Sequence, residues 1–225
     1  MPHRFAFVTI GQTPRTDLVP EIVSRLPTEA VVDEMGILDE FGPPNGTVPD
    51  GIVALAPEPG EARLVTRLTD GTQVVLGKAG MQRRLQNLLN RLDPEPYTAV
   101  VLLCTGEFPG LKGPGLFLDA QHLVDHGAAG LSAGAKRLGL LLPLAEQTEE
   151  SHWRPGPDQE LLVSHASPYE GHRFVAAARE LSEADLIVMH CMGYTEVHRE
   201  EVARVSGRPV LLARRLVATA LANLL

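Results

Sequence analysis

The chain has 225 residues, 44% of them hydrophobic and 21% charged, ordinary globular values for one large domain or two small ones. Those values exclude a disordered tail and a collagen-like repeat. Twenty basic against twenty-eight acidic side chains leave a net charge of −8, which argues against a broad basic surface for nucleic acid or anionic lipid.

The N-terminal apolar run, residues 5–10 (FAFVTI), lacks the long hydrophobic region and the small-residue cleavage site of a signal peptide. It reads as a first strand ending at Gly11. Residues 17–26 follow with helical spacing, provided Pro20 sits in the first turn. Residues 41–59 are rich in proline and glycine and read as a loop. Residues 74–76 read as a strand and 79–92 as a helix. A buried strand is expected over 99–104, followed by a Pro/Gly-rich break at 109–115. A strand is expected over 138–142, a further break at 154–158 and a helix over 171–181. The last expected elements are a strand over 186–190, a helix over 195–205 and a strand over 210–212. Short apolar runs alternating with helical segments predict an α/β fold with a mainly parallel sheet. The longest apolar runs, 138–142 and 210–213, fall far short of the roughly 20 residues that span a bilayer. The expectation is a soluble, cytoplasmic protein with reduced thiols and no membrane partner.

Only two cysteines are present, Cys104 and Cys191. Two cannot form a dense disulfide framework, and a chain this long does not need one. Each ends an apolar run and precedes a glycine by two positions, in LLCTG at 102–106 and MHCMG at 189–193. No tandem repeat accompanies this echo. Ligands of open α/β folds collect beyond the C-terminal ends of parallel strands. Both cysteines fall there, as does the turn Gly11-Gln12-Thr13-Pro14-Arg15. That turn offers backbone N–H groups, a hydroxyl and a guanidinium to a carboxylate, with Thr13 and Arg15 as the expected recognition pair. The alternative is a solvated turn with Arg15 in water.

The thiols are either core-filling residues or a chemical pair. Redox chemistry lacks a Cys-x-x-Cys spacing. Zinc lacks a ligand set, since His190 adjoins Cys191 and only His198 follows; no metal is expected. The catalytic reading makes one thiol an acid and the other a base on opposite faces of an α-carbon. Helix N-termini near both cysteines are expected to lower their pKa from about 8.5. Thr105, Gly106, Gly193, Tyr194 and Thr195 surround the thiols and could hold a carboxylate or an amine. Glu107 could receive an ammonium group. Glu58 and Lys78 are further site candidates, each also readable as an ordinary surface charge.

The stretches TIGQTPRTD (9–17), LAPEPGE (55–61), LLCTGEFPG (102–110), LGLLLPLAEQ (138–147) and DLIVMHCMGYT (185–195) resemble the AroM family, itself similar to the aspartate/glutamate racemase superfamily. The resemblance implies two pseudo-symmetric α/β lobes with mainly parallel sheets and a cleft between them. The expected first lobe covers 1–120, completed by 210–225; the second covers 121–209. It also implies a cofactor-independent enzyme in which Cys104 and Cys191 match the first-lobe and second-lobe thiols. The chain departs from the racemase pattern at Thr105-Gly106, at His190-Cys191-Met192-Gly193 and in the loop at 11–15. The expected function is a racemase or isomerase of a small carboxylate-bearing molecule, an amino acid or a relative of one. Alternatives are a decarboxylase or cis–trans isomerase of the same superfamily, or a binding protein that kept the cleft. The superfamily also makes a homodimer plausible.

Overall fold

In the computed structural model, which describes residues 3–27, 29–150 and 159–225, the first apolar run forms strand β1 (His3–Thr9). Helix α1 (Val19–Val23) follows, with Pro20 in its first turn where a missing N–H breaks no helical bond. Next come β2 (Ala30–Gly36), a 3-10 turn at Asp39–Phe41, and the single-turn helix α2 (Asp50–Val53) inside the expected loop. Strands β3 (Arg63–Arg67) and β4 (Gln73–Gly77) lead into helix α3 (Lys78–Arg91). Strands β5 (Ala99–Leu102) and β6 (Phe117–Asp119) precede helix α4 (Ala120–Leu131), whose first turn is capped by the Asp119 carboxylate accepting from Gln121 N–H. The remainder runs β7 (Arg137–Leu142), α5 (Gln147–Glu150), β8 (Glu160–His165), α6 (Phe174–Glu180), β9 (Leu186–Met189), α7 (Glu196–Ser206), β10 (Val210–Leu212) and α8 (Ala213–Ala222). The break expected at 154–158 lies outside the described residues.

Among the described residues the strands form two four-stranded sheets and one hairpin. The sheets run β2-β1-β5-β6 and β8-β7-β9-β10, with every pairing parallel. Read in parallel, β1 corresponds to β7, β2 to β8, β5 to β9 and β6 to β10. The fold is therefore α/β with two pseudo-symmetric, parallel-sheet halves. The echo between the cysteine segments has a structural counterpart, because each follows the strand at the third place in its sheet.

Two expectations need correction. The strand at 74–76 does not join a parallel sheet; it pairs antiparallel with β3. Only residues 68–72 connect the two, too few for the crossover a parallel pair requires. The C-terminal strand β10 does not complete the first sheet either. It lies beside β9 in the second, where the β9–α7–β10 crossover delivers it. Helix α8 then packs on α4 and on α1, so the C-terminal helix touches both halves. The expected boundary at 120/121 falls within the first turn of α4.

Both sheets are buried on two faces, and the strands alternate between them. Phe5 and Phe7 join Val101, Leu140, Val188 and Val217 in a core shared by the halves. Ala6, Val8 and Ile10 face a second core with Leu64, Leu76, Met81 and Leu102. A third core belongs to the second half, around Ile187, Met189, Phe174 and Tyr194. Phe7 is 1% exposed, so Phe7→Ala is expected to cost about 3–5 kcal/mol of stability, measured by urea denaturation. Among the described residues no helix is long and apolar enough to cross a membrane.

Candidate active site

The same alternation places both thiols. Val100, Leu102 and Cys104 share one face of their strand and its extension, as Ile187, Met189 and Cys191 do in the other half. Each sulfur then accepts a hydrogen bond from the glycine two residues on. Gly106 N–H lies 3.3 Å from Cys104 Sγ, and Gly193 N–H lies 3.4 Å from Cys191 Sγ. The Thr105 hydroxyl donates to the His190 carbonyl at 3.1 Å, tying the two thiol loops together. Both cysteines are free and line one cavity of about 360 Å³.

Burial dominates the thiols' acidity. It pushes Cys104 up to about 12, opposed by the Gly106 N–H. It also pushes Cys191 up, opposed by the Gly193 N–H and then by the Arg15 and Arg214 guanidiniums. Cys104 instead feels the Cys191 and Asp119 charges before that of Arg15. The two guanidiniums thus favour a thiolate at Cys191, and a charge there disfavours one at Cys104. The expected lowering by helix N-termini is not what the fold provides. No helix starts after Cys104 until Ala120, and α7 starts five residues beyond Cys191.

The structure separates the expected site residues into two groups. Arg15, Lys78, Thr105, Gly106, Glu107 and Gly193 line the cavity with the thiols. Gly11, Gln12, Thr13, Glu58, Tyr194 and Thr195 do not. Gly11 is packed so closely that a Cβ there would lie 2.5 Å from Thr66 Oγ1. Gln12 accepts from Thr69 N–H at 3.1 Å. Thr13 gives its N–H and its hydroxyl to the Asp39 carboxylate, both at 2.7 Å. Glu58 lies in an exposed turn where its N–H donates to Glu61. Tyr194 is fully buried with its hydroxyl on the Ala166 carbonyl at 2.9 Å, and Thr195 caps α7 in a reciprocal pair with His198.

Arg15 reaches the cavity with its fork already filled. Nε and Nη2 each lie 2.9 Å from an Asp17 carboxylate oxygen, Nη1 donates to Thr9 Oγ1, and Nη2 reaches the Tyr169 hydroxyl at 3.3 Å. Burial works against both charges of this pair. The pairing outweighs it, holding Arg15 above and Asp17 below their ordinary values.

Several lining residues are not among the site residues expected from the sequence. Tyr169 follows β8, and burial raises its phenol above the ordinary value. Asp125 and Gln121 come from α4; His190 Nε2–H lies 2.6 Å from Asp125 Oδ1, and the Gln121 amide donates to the other oxygen. The Gln147 amide donates to the Arg63 carbonyl at 2.8 Å. Three buried oxygens of lining residues, Thr66 Oγ1, Gln121 Oε1 and Gln147 Oε1, have no partner among the described residues. Outside the cavity, Arg214 is 1% exposed and donates twice to the Met192 carbonyl, once to the Asp17 carbonyl and once to Glu21. It joins the Cys191 loop to the Arg15 loop. His190 and His198 are thus engaged with Asp125 and Thr195, and among the described residues no three His, Cys, Asp or Glu converge to hold a metal ion.

The family model described as AroM protein matches residues 5–225. No curated protein matches by sequence. Among solved structures, glutamate racemase from Francisella tularensis subsp. tularensis SCHU S4, in complex with D-glutamate, is 13% identical with a TM-score of 0.56, over 99% of this chain and 80% of that one. Picrophilus torridus aspartate racemase is 11% identical with a TM-score of 0.56, over 98% and 93%. Unliganded arylmalonate decarboxylase is 14% identical with a TM-score of 0.55, over 100% and 92%. At these identities the likeness establishes a shared fold.

Proposed function

The chain belongs to the AroM family, and from that premise we propose that it is a cofactor-independent racemase or isomerase acting on a small carboxylate-bearing substrate. One observation carries this reading. Two free thiols at equivalent places in the two halves line one cavity, each with a backbone N–H on its sulfur. An acid and a base facing one carbon from opposite sides need that symmetry, and the N–H donors favour whichever sulfur is the thiolate. The fold shared with two racemases supports it.

In this mechanism the Cys191 thiolate removes the α-proton, and the negative charge passes into the substrate carboxylate. The Cys104 thiol then gives its proton to the opposite face. Cys191 ends as thiol and Cys104 as thiolate, the arrangement required for the reverse direction. Arg15 acts without direct contact with the substrate, its guanidinium favouring the Cys191 thiolate. The test is α-proton exchange in deuterated water, followed by NMR across the common amino acids. Loss of the α-proton signal from at least one of them supports the reading; retention in all of them overturns it.

A further inference from the structure

The charged side chains of the cavity are unequally available. Arg15 is closed by Asp17, Arg63 already has a partner, and Asp125 is held by His190 and Gln121. Lys78 and Glu107 differ. Lys78 Nζ lies 4.0 Å from Glu107 Oε2, at the outer limit of an ion pair and beyond hydrogen-bond reach. Lys78 also opens the fourteen-residue helix α3, whose first turn holds no acidic residue. A cation there opposes the helix dipole, a local conflict of the kind that marks functional positions. Glu107 lies three residues beyond Cys104 in the same loop.

Resting on the reading of function above, we propose that the substrate is an α-amino acid with an uncharged, apolar side chain, its carboxylate held by Lys78 and its ammonium by Glu107. A zwitterion fits an open pair of opposite charges, one group for each. A second carboxylate finds no free cation among the described lining residues. It would be desolvated against Ile10, Leu64, Val65, Leu103, Leu142 and Met192, which line the same cavity. A cavity of about 360 Å³ is also in the range that encloses a small organic ligand together with an apolar substituent.

Calorimetric titration of the full chain tests this with leucine (both enantiomers), glutamate, 4-methylpentanoate (leucine without its amine) and 3-methylbutylamine (leucine without its carboxylate). Leucine is expected to bind at least tenfold tighter than glutamate. Lys78→Met is expected to weaken leucine and 4-methylpentanoate at least tenfold and to leave 3-methylbutylamine within twofold. Glu107→Gln should weaken leucine and 3-methylbutylamine while sparing 4-methylpentanoate. Lys78→Arg should keep most of the affinity, which separates loss of charge from misfolding. Glutamate binding as tightly as leucine, both charge-removing variants binding leucine unchanged, or no binding of either leucine enantiomer overturns the proposal. A chain that binds leucine in the expected pattern yet exchanges no α-proton would refute the racemase or isomerase reading and leave this clamp standing.

Discussion

Replacing Cys104 or Cys191 by alanine is expected to lower racemisation by at least about 10³-fold, within the range a positioned acid or base contributes. The two losses share a cause but differ in kind. Without Cys191 the α-proton has no base on one face; without Cys104 the carbanion has no donor on the other. Because each thiol serves as base in one direction, a single variant still exchanges the α-proton of the enantiomer that faces its remaining sulfur. Both sulfurs are buried small groups, so alanine removes the chemistry with little repacking, and circular dichroism should show an unchanged fold. Turnover unchanged in either variant contradicts the assigned roles.

The second large effect is expected at Arg214, which lies outside the cavity and holds the carbonyl of its lining residue Met192. Arg214→Met removes a buried guanidinium from the Met192 and Asp17 carbonyls and strands the Glu21 carboxylate. Breaking a buried pair in this way costs about 3–5 kcal/mol of stability. The same charge favours the Cys191 thiolate, so the variant should also move catalysis along the pH axis. The proposed mechanism needs one thiolate, and burial raises both thiols. Hence kcat/KM of the wild-type protein should rise about tenfold per pH unit through neutrality, until one thiol is ionised, and fall only at still higher pH, when the second thiol, held up by burial and by the charge of the first, ionises too. Arg214→Met should shift the rising limb to higher pH. Arg214→Lys, which keeps the charge but not the fork, should restore the limb while remaining less stable. A stability loss with no shift of the limb would make Arg214 purely structural.

Much of the fold was legible because burial on two faces writes continuous apolar runs. The runs FAFVTI, AVVL and LIVM became β1, β5 and β9, and the strand–cysteine–x–glycine echo marked equivalent positions in two halves. Strands β2, β3, β6 and β8 were hidden, β3 because the charges of Arg63 and Arg67 bound a run of only three residues. AVVDEMG and ELLVSH carry charges at sheet edges, and FLD is three residues long. The site divided in the same way. Thiol, glycine and Thr105 positions followed from their strands, whereas Gln121, Asp125, Gln147 and Tyr169 arrive from segments distant in sequence. Arg15 did carry a local signal: Asp17, two residues on, is within reach of its fork. Arg214 carried none, for adjacent Arg214 and Arg215 read alike. One helical step of about 100° turns the first into the core and leaves the second on Glu196 at the surface.

In the proposed mechanism the thiols face one carbon from opposite sides. That arrangement is tested most directly by following α-deuterium uptake into each pure enantiomer of an exchanging amino acid with Cys104→Ala and Cys191→Ala. Each variant is expected to exchange one enantiomer, and the two variants to exchange opposite ones. Both variants exchanging the same enantiomer, or either exchanging both, would contradict that arrangement.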